Sequence, residues 1–267
     1  MILSRSLRVA LRVASALTLA FIYLPIAIIV LYSFNTARVA TWPIAGLTLD
    51  WYGRALANAG IRNALIASLE AALGATAIAL ILGSLIAFAV QRYTFFGRQS
   101  LSFVVILPLA LPGIVTGLAL NAAFRTLGLE FGLSTIIVGH ATFCVVVVFN
   151  NVVARLRRTA RTAEEASMDL GADTFTTFRR ITFPAIRSAL LAGGLLAFAL
   201  SFDEIIVTNF TSGAGTQTLP LWIFTNYQRP NNVPLVNVAA VIVLALSIVP
   251  VYIAARLTSG TESTGRT

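Results

Sequence analysis

The chain has 267 residues, of which 58% are hydrophobic and only 11% charged, with a mean hydropathy of +0.87. An average soluble domain carries about 25% charged residues, so this composition excludes an ordinary soluble fold and points to an integral membrane protein. The formal net charge of +9 comes from nineteen basic residues, all of them arginine.

Six stretches approach the roughly 20 apolar residues that a helical span requires, and residues 1–267 read as one all-α transmembrane domain built on them. The first, 13–34, follows Arg5, Arg8 and Arg12. Its apolar run is too long for a signal peptide and lacks a small-x-small cleavage site, so a retained first helix is expected. The following outer segment, 35–62, carries Trp42, Pro43, Trp51 and Tyr52, an aromatic set expected at the membrane interface. Span two, 63–90, holds Glu70 about two turns in, and its small residues Gly74, Ala75, Ala79 and Gly83 predict close helix packing rather than a site.

Span three, 101–124, contains Pro108, Pro112, Gly113 and Gly117. Proline removes a backbone donor and kinks a helix, and in a bilayer the freed carbonyls must face protein or water, so this span is expected to line a pathway with a flexible middle. Span four, 134–154, holds the single His140 and the single Cys144, which excludes a disulfide and a thiolate metal site. His140 reads more readily as an interfacial or interhelical hydrogen-bonding group than as a proton carrier. Span five, 188–208, carries Asp203 and Glu204 toward its outer end, and span six covers 236–257. On one continuous helix Asp203 and Glu204 would point about 100° apart, so only one of them could face a pore. On position alone, an acidic contact for a cationic substrate and an interfacial pair satisfied by water or a partner's arginine are equally open.

Fourteen of the nineteen arginines fall on the N-terminal side of this topology, seven of them between Arg155 and Arg187. The positive-inside rule then places both termini and the 155–187 loop in the cytoplasm. The positive charge is accounted for by topology and anionic lipid headgroups, without nucleic acid.

Within that loop, Thr162-Ala163-Glu164-Glu165 has capping-box spacing, with Glu165 reaching back to the Thr162 amide. Gly171 is expected to end the resulting helix in a left-handed cap. Asp173 should cap a second short helix with Phe175 and Phe178 on one face, before Pro184 opens span five at a first-turn position. Two short helices with a fixed bend result. They could lie on the membrane surface with Met168, Leu170, Phe175 and Phe178 in lipid, or present a handle to another protein.

The segment Glu165-Ala166-Ser167-Met168-Asp169-Leu170-Gly171, with Ile181 and Pro184 at the following spacing, resembles the cytoplasmic signature of permease subunits of binding-protein-dependent ABC importers. Ser167 and Phe183 depart mildly from the alanine and leucine of that pattern. The resemblance implies a type I importer permease fold of six transmembrane helices in a bacterial inner membrane, with the loop as a coupling helix held by a separate ATPase dimer. ATP and magnesium would be used by that partner, none being bound by this chain. It also implies a second, homologous permease subunit and an external solute-binding protein, which the 209–235 loop could face. Ser201 through Glu204, Asn209 through Gly213 and Thr218 through Leu221 resemble the polyamine branch, which implies a substrate such as putrescine or spermidine along Glu70, Asp203 and Glu204. Related permeases for aminoethylphosphonate, opines, thiamine or ferric iron share much of this pattern.

An enzyme is disfavoured. The chain has no lysine and so no phosphate loop of the usual kind, and no clustered His, Cys or carboxylate set for a catalytic metal. An ion-coupled secondary transporter using Glu70 or Asp203 would leave the cytoplasmic loop without a purpose and lacks an inverted repeat. Dependence of transport on ATP separates the two.

Overall fold

A computed structural model describes residues 4–229 and 232–259. Its elements are α1 (Arg5–Ser33), α2 (Asp50–Ala57), α3 (Ala59–Arg92), α4 (Arg98–Ala110), α5 (Gly113–Thr126), α6 (Leu133–Arg158), α7 (Thr162–Asp169) and α8 (Thr174–Thr177). A π turn (Phe178–Thr182) leads into α9 (Phe183–Phe202), followed by α10 (Ile206–Thr211), α11 (Leu219–Tyr227) and α12 (Val233–Ser259). The described residues include no strand, only an isolated antiparallel bridge between Asn35 and Leu47. Five helical runs are long and apolar enough to cross a membrane, and α4 with α5 makes a sixth if that bent pair is one span.

The residues fall into two compact units, one comprising the chain up to Arg62 with Trp222–Leu244 and the other Asn63–Leu221 with the chain from Ala245. In the first unit, the most apolar stretch of α1 is entirely unburied. At its C-terminal end the chain folds back on itself. The Trp51 indole donates to the Asn35 carbonyl at 2.8 Å, Ser33 and Tyr52 share a hydroxyl bond of 2.8 Å, and Tyr52 stacks at a tilt on Phe34 with 5.3 Å between centroids. Trp51 and Tyr52 therefore fasten α2 to the end of α1. Trp51 is buried and Tyr52 half-buried in this fold, while Trp42 is 78% exposed.

The second unit is organised around α6, whose inward residues from Thr135 to Leu156 are buried on every turn. Glycine and alanine let neighbouring backbones reach it. Ala75 and Ala79 are fully buried, and a Cβ on Gly83 would meet the Val145 carbonyl oxygen at 2.9 Å. On the α9 side, Gly193 faces the Val148 backbone in the same way. Lipid tails are as apolar as leucine, so helices in a bilayer associate through such close packing rather than through hydrophobic exclusion.

Two spans differ from expectation. Span three is not a helix with a flexible middle: α4 and α5 meet at a bend of 108°. Leu111 precedes Pro112, whose ring disfavours the helical region for the residue before it, and Leu111 is accordingly extended at φ −82, ψ 144. Span five begins earlier than 188 and ends at Phe202, with Asp203 as its C-cap; the chain then breaks before α10.

Gly83→Val puts two further carbons where one Cβ already meets backbone, and overpacking of this kind costs about 1–3 kcal/mol. The expected result is a lower unfolding temperature of the detergent-solubilised protein, whereas Gly53→Ala, inside α2 and with nothing within 4 Å of the new carbon, does not lower it.

Candidate functional site

The 155–187 loop is built as a bent pair of helices. Its first helix, α7, closes in a Schellman arrangement. The Ala172 amide donates to the Ser167 carbonyl at 3.1 Å and the Gly171 amide to Met168 at 2.9 Å. Gly171 sits at φ +89, a left-handed conformation that only glycine adopts without steric strain. Asp173 then caps α8, its Oδ1 accepting from the Thr176 amide at 2.7 Å. The hydrogen bonds from Thr176 hold the Asp173 carboxyl below the usual carboxylate range.

The N-terminal end of α7 corrects the expected capping box. Arg161 is the N-cap, and its carbonyl accepts from the amides of Glu164 and Glu165, each at 3.0 Å. The Glu165 carboxylate pairs with the Arg161 guanidinium at 3.1 Å and remains exposed. Its neighbour Glu164 turns inward. One carboxylate oxygen of Glu164 accepts from Arg92 at 2.8 Å and from the Thr182 hydroxyl at 3.0 Å. Glu164 is a site residue that sequence reasoning passed over; adjacent glutamates on a helix diverge by about 100°, and that alone signals that one of them points into the protein.

The tip of the bend is apolar and uncovered. Leu170 is 90% exposed and Phe175 69%, with Met168 also exposed. Ala166 and Asp169 are exposed beside them, while Ser167 shares a hydroxyl bond with Thr177 at 3.2 Å that ties α7 to α8. Phe175 and Phe178 lie three residues apart on the helical run and are both exposed, and Phe178 also packs against Phe88 and Phe183. The second short helix does not end before Pro184. The helical run continues through the π turn, whose closing bond joins the Phe183 amide to the Phe178 carbonyl. Pro184, exposed, occupies the second position of α9, where its missing N–H is tolerated, and Ile181 is half-buried in the turn.

A second cluster of polar groups surrounds the break after α9. Asp203 is exposed and makes no side-chain hydrogen bond or ion pair among the described residues. Glu204 is different: its carboxylate accepts from the Val207 amide at 2.8 Å and starts α10. The two carboxylates thus diverge because of the break, not because of a continuous helical turn. His140 on α6 spans the gap, fully buried, with Nδ1 2.7 Å from the Ser201 hydroxyl and Nε2 2.8 Å from the Thr208 hydroxyl. Thr208 donates its proton to the Glu204 carbonyl at 2.9 Å. It must therefore accept from Nε2–H, and Ser201 must donate to Nδ1. His140 is the interhelical hydrogen-bonding group expected, placed wholly within the protein.

The other broken span lies against the same place. A Cβ on Gly113, the first residue of α5, would meet Ile206, and one on Gly117 would reach the Phe210 ring at 2.5 Å. Asn121 donates to the Phe210 carbonyl. Glu70 is exposed on α3 and makes no hydrogen bond or ion pair among the described residues. Among the described residues no group of three His, Cys, Asp or Glu side chains could hold a metal.

The family described as "binding-protein-dependent transport system inner membrane component" matches residues 79–262. The putrescine transport system permease protein PotI of Escherichia coli (strain K12) is 37% identical over 232 residues, covering 84% of this chain and 82% of the relative. The spermidine/putrescine transport system permease protein PotC of Haemophilus influenzae is 35% identical over 240 residues, with 90% and 92% covered. A chain of a solved bacterial ABC transporter involved in the import of the acidic polysaccharide alginate superposes with a TM-score of 0.68 at 19% identity, covering 97% of this chain and 99% of that one. The last likeness establishes a shared fold.

The Asp173 cap gives the loop a pH signature. Its carboxyl titrates below the unfolded value, so the cap is fully present above the ordinary carboxylate range and is lost as pH falls through the folded value. Amide hydrogen exchange over 174–177 should accelerate at acid pH beyond its intrinsic trend. Asp173→Asn, which caps without titrating, should abolish that excess.

Proposed function

Because this chain belongs to the family of binding-protein-dependent transport system inner membrane components, we propose that it carries a polyamine such as putrescine or spermidine, driven by a separate ATPase. The chain itself is a multi-pass inner-membrane subunit of an ABC importer. The observation that carries the rest of the reading is the α7–α8 segment, bent at Gly171 and uncovered at Leu170. Exposed apolar side chains on a stiff, capped frame suit a protein socket. An ATPase subunit docks on Glu165 through Gly171, with Ile181 and Pro184 at the base of the handle, and uses ATP and magnesium on its own chain. The arginine distribution supports a cytoplasmic position for this loop and for both termini.

A second permease subunit completes the path across the membrane, and an external binding protein delivers the solute. Closure of the ATPase dimer draws the coupling helices together and opens the path outward; hydrolysis resets it. In the bilayer, irregular backbone is tolerated only inside protein or along water, so the paired breaks at Leu111–Pro112 and Asp203–Ile205 support a water-lined path there. Asp203 is the carboxylate left for a cation, because Glu204 is occupied as a cap. Glu70, exposed on an apolar span, faces the second subunit or the path. The names of the two relatives favour polyamines over the other solutes that this sequence pattern serves.

In proteoliposomes holding the whole importer, Asp203→Asn should raise the KM for polyamine uptake about tenfold to hundredfold, the weight of one charged hydrogen bond at about 1.5–3 kcal/mol. The same assay with aminoethylphosphonate serves as the control; uptake of that solute but no polyamine overturns the cargo. Leu170→Glu should release the ATPase subunit on purification while the permease still inserts, and a retained ATPase removes the docking surface from this loop.

A further inference from the structure

The inward-turned Glu164 joins three elements through a single oxygen atom. It is the third residue of α7, Arg92 is the last residue of α3, and Thr182 is the last residue of the π turn that feeds α9. The Arg92 and Glu164 side chains are only 15% and 11% exposed, against 51% for the Glu165 carboxylate one position along. A buried, charge-assisted bond is short and directional, and removing either partner leaves an uncompensated charge. The π turn has a local cause and a local restraint. Pro184 cannot supply the amide that the Arg180 carbonyl would accept in an α-helix, and the ladder shifts to the Phe183-to-Phe178 pairing. The Thr182 hydroxyl, tied to Glu164, holds that register in place. Phe88 against Phe178, with 5.8 Å between centroids, adds an apolar contact between α3 and the same turn.

We propose that Glu164, with Arg92 and Thr182, is the joint through which movement of the α7–α8 handle reaches two transmembrane helices at once, α3 by the ion pair and α9 by the π turn. Glu164 is a positioning residue here: it lies beneath the exposed docking face and acts through the helices it ties. This rests on the docking reading of the loop, and the experiment separates the two. Solute uptake and ATP hydrolysis are measured together in proteoliposomes containing the whole importer, with ATPase co-purification measured in parallel. Glu164→Gln and Arg92→Gln should retain the ATPase subunit yet transport at least fivefold less solute per ATP hydrolysed. The exchange Arg92→Glu with Glu164→Arg should restore at least half of the lost ratio, because the Thr182 hydroxyl can accept from arginine as readily as it donates to a carboxylate. Thr182→Val should lower the ratio and Thr182→Ser should not. An unchanged ratio in Glu164→Gln with the ATPase bound overturns the joint and leaves docking intact. So does failure of the exchange in a protein of normal unfolding temperature. Retention of the ATPase by Leu170→Glu overturns docking instead.

Discussion

A bilayer offers no water to a broken helix, and this constraint governs the second unit. The span ending at Phe202 releases carbonyls and amides that must find partners inside the protein. They find them locally and across the break: Glu204 caps α10 with its carboxylate, Thr208 returns a proton to the Glu204 carbonyl, and His140 holds Ser201 and Thr208 on either side. The imidazole is suited to this because its two nitrogens, one donor and one acceptor, lie on opposite sides of a rigid ring. With α6 as a fixed post, the break becomes a defined structure rather than a frayed end.

The same post organises what surrounds it. The α5 segment, turned by the extended Leu111 before Pro112, lays Gly113, Gly117 and Asn121 against α10. Threonine 135 extends the arrangement by donating to the Thr211 carbonyl at 2.7 Å. At the other end of α6, the Arg155 guanidinium donates to the Ala185 carbonyl at 2.7 Å and secures the start of α9. One helix therefore contacts both the proposed pathway and the base of the handle.

Division of labour between adjacent acidic residues recurs. In each of two Glu- or Asp-containing pairs, one carboxylate is consumed by structure and the other is left outward. Glu164 is buried in an ion pair while Glu165 is exposed; Glu204 caps a helix while Asp203 is exposed. Backbone direction imposes this, since neighbouring side chains cannot share a target.

Composition and local rules determined a great deal unaided. Apolar run length fixed a multi-span helical membrane protein, because only a helix satisfies its own backbone in lipid. The Gly171 cap and the Asp173 cap were legible because each depends on residues within a few positions, as was the small-residue packing of α3 through Gly83. The spacing from Glu165 to Pro184 identified the family for the same reason. What sequence could not decide were contacts made across the fold: which glutamate of 164 and 165 is buried depends on Arg92, seventy-two positions away. Whether Asp203 and Glu204 continue a helix or break it depends on His140, supplied by another helix. Pro112 announced a kink, but neither its 108° amplitude nor the packing of α5 on α10. Local chemistry wrote the elements, and long-range polar satisfaction in an apolar solvent chose among their alternatives.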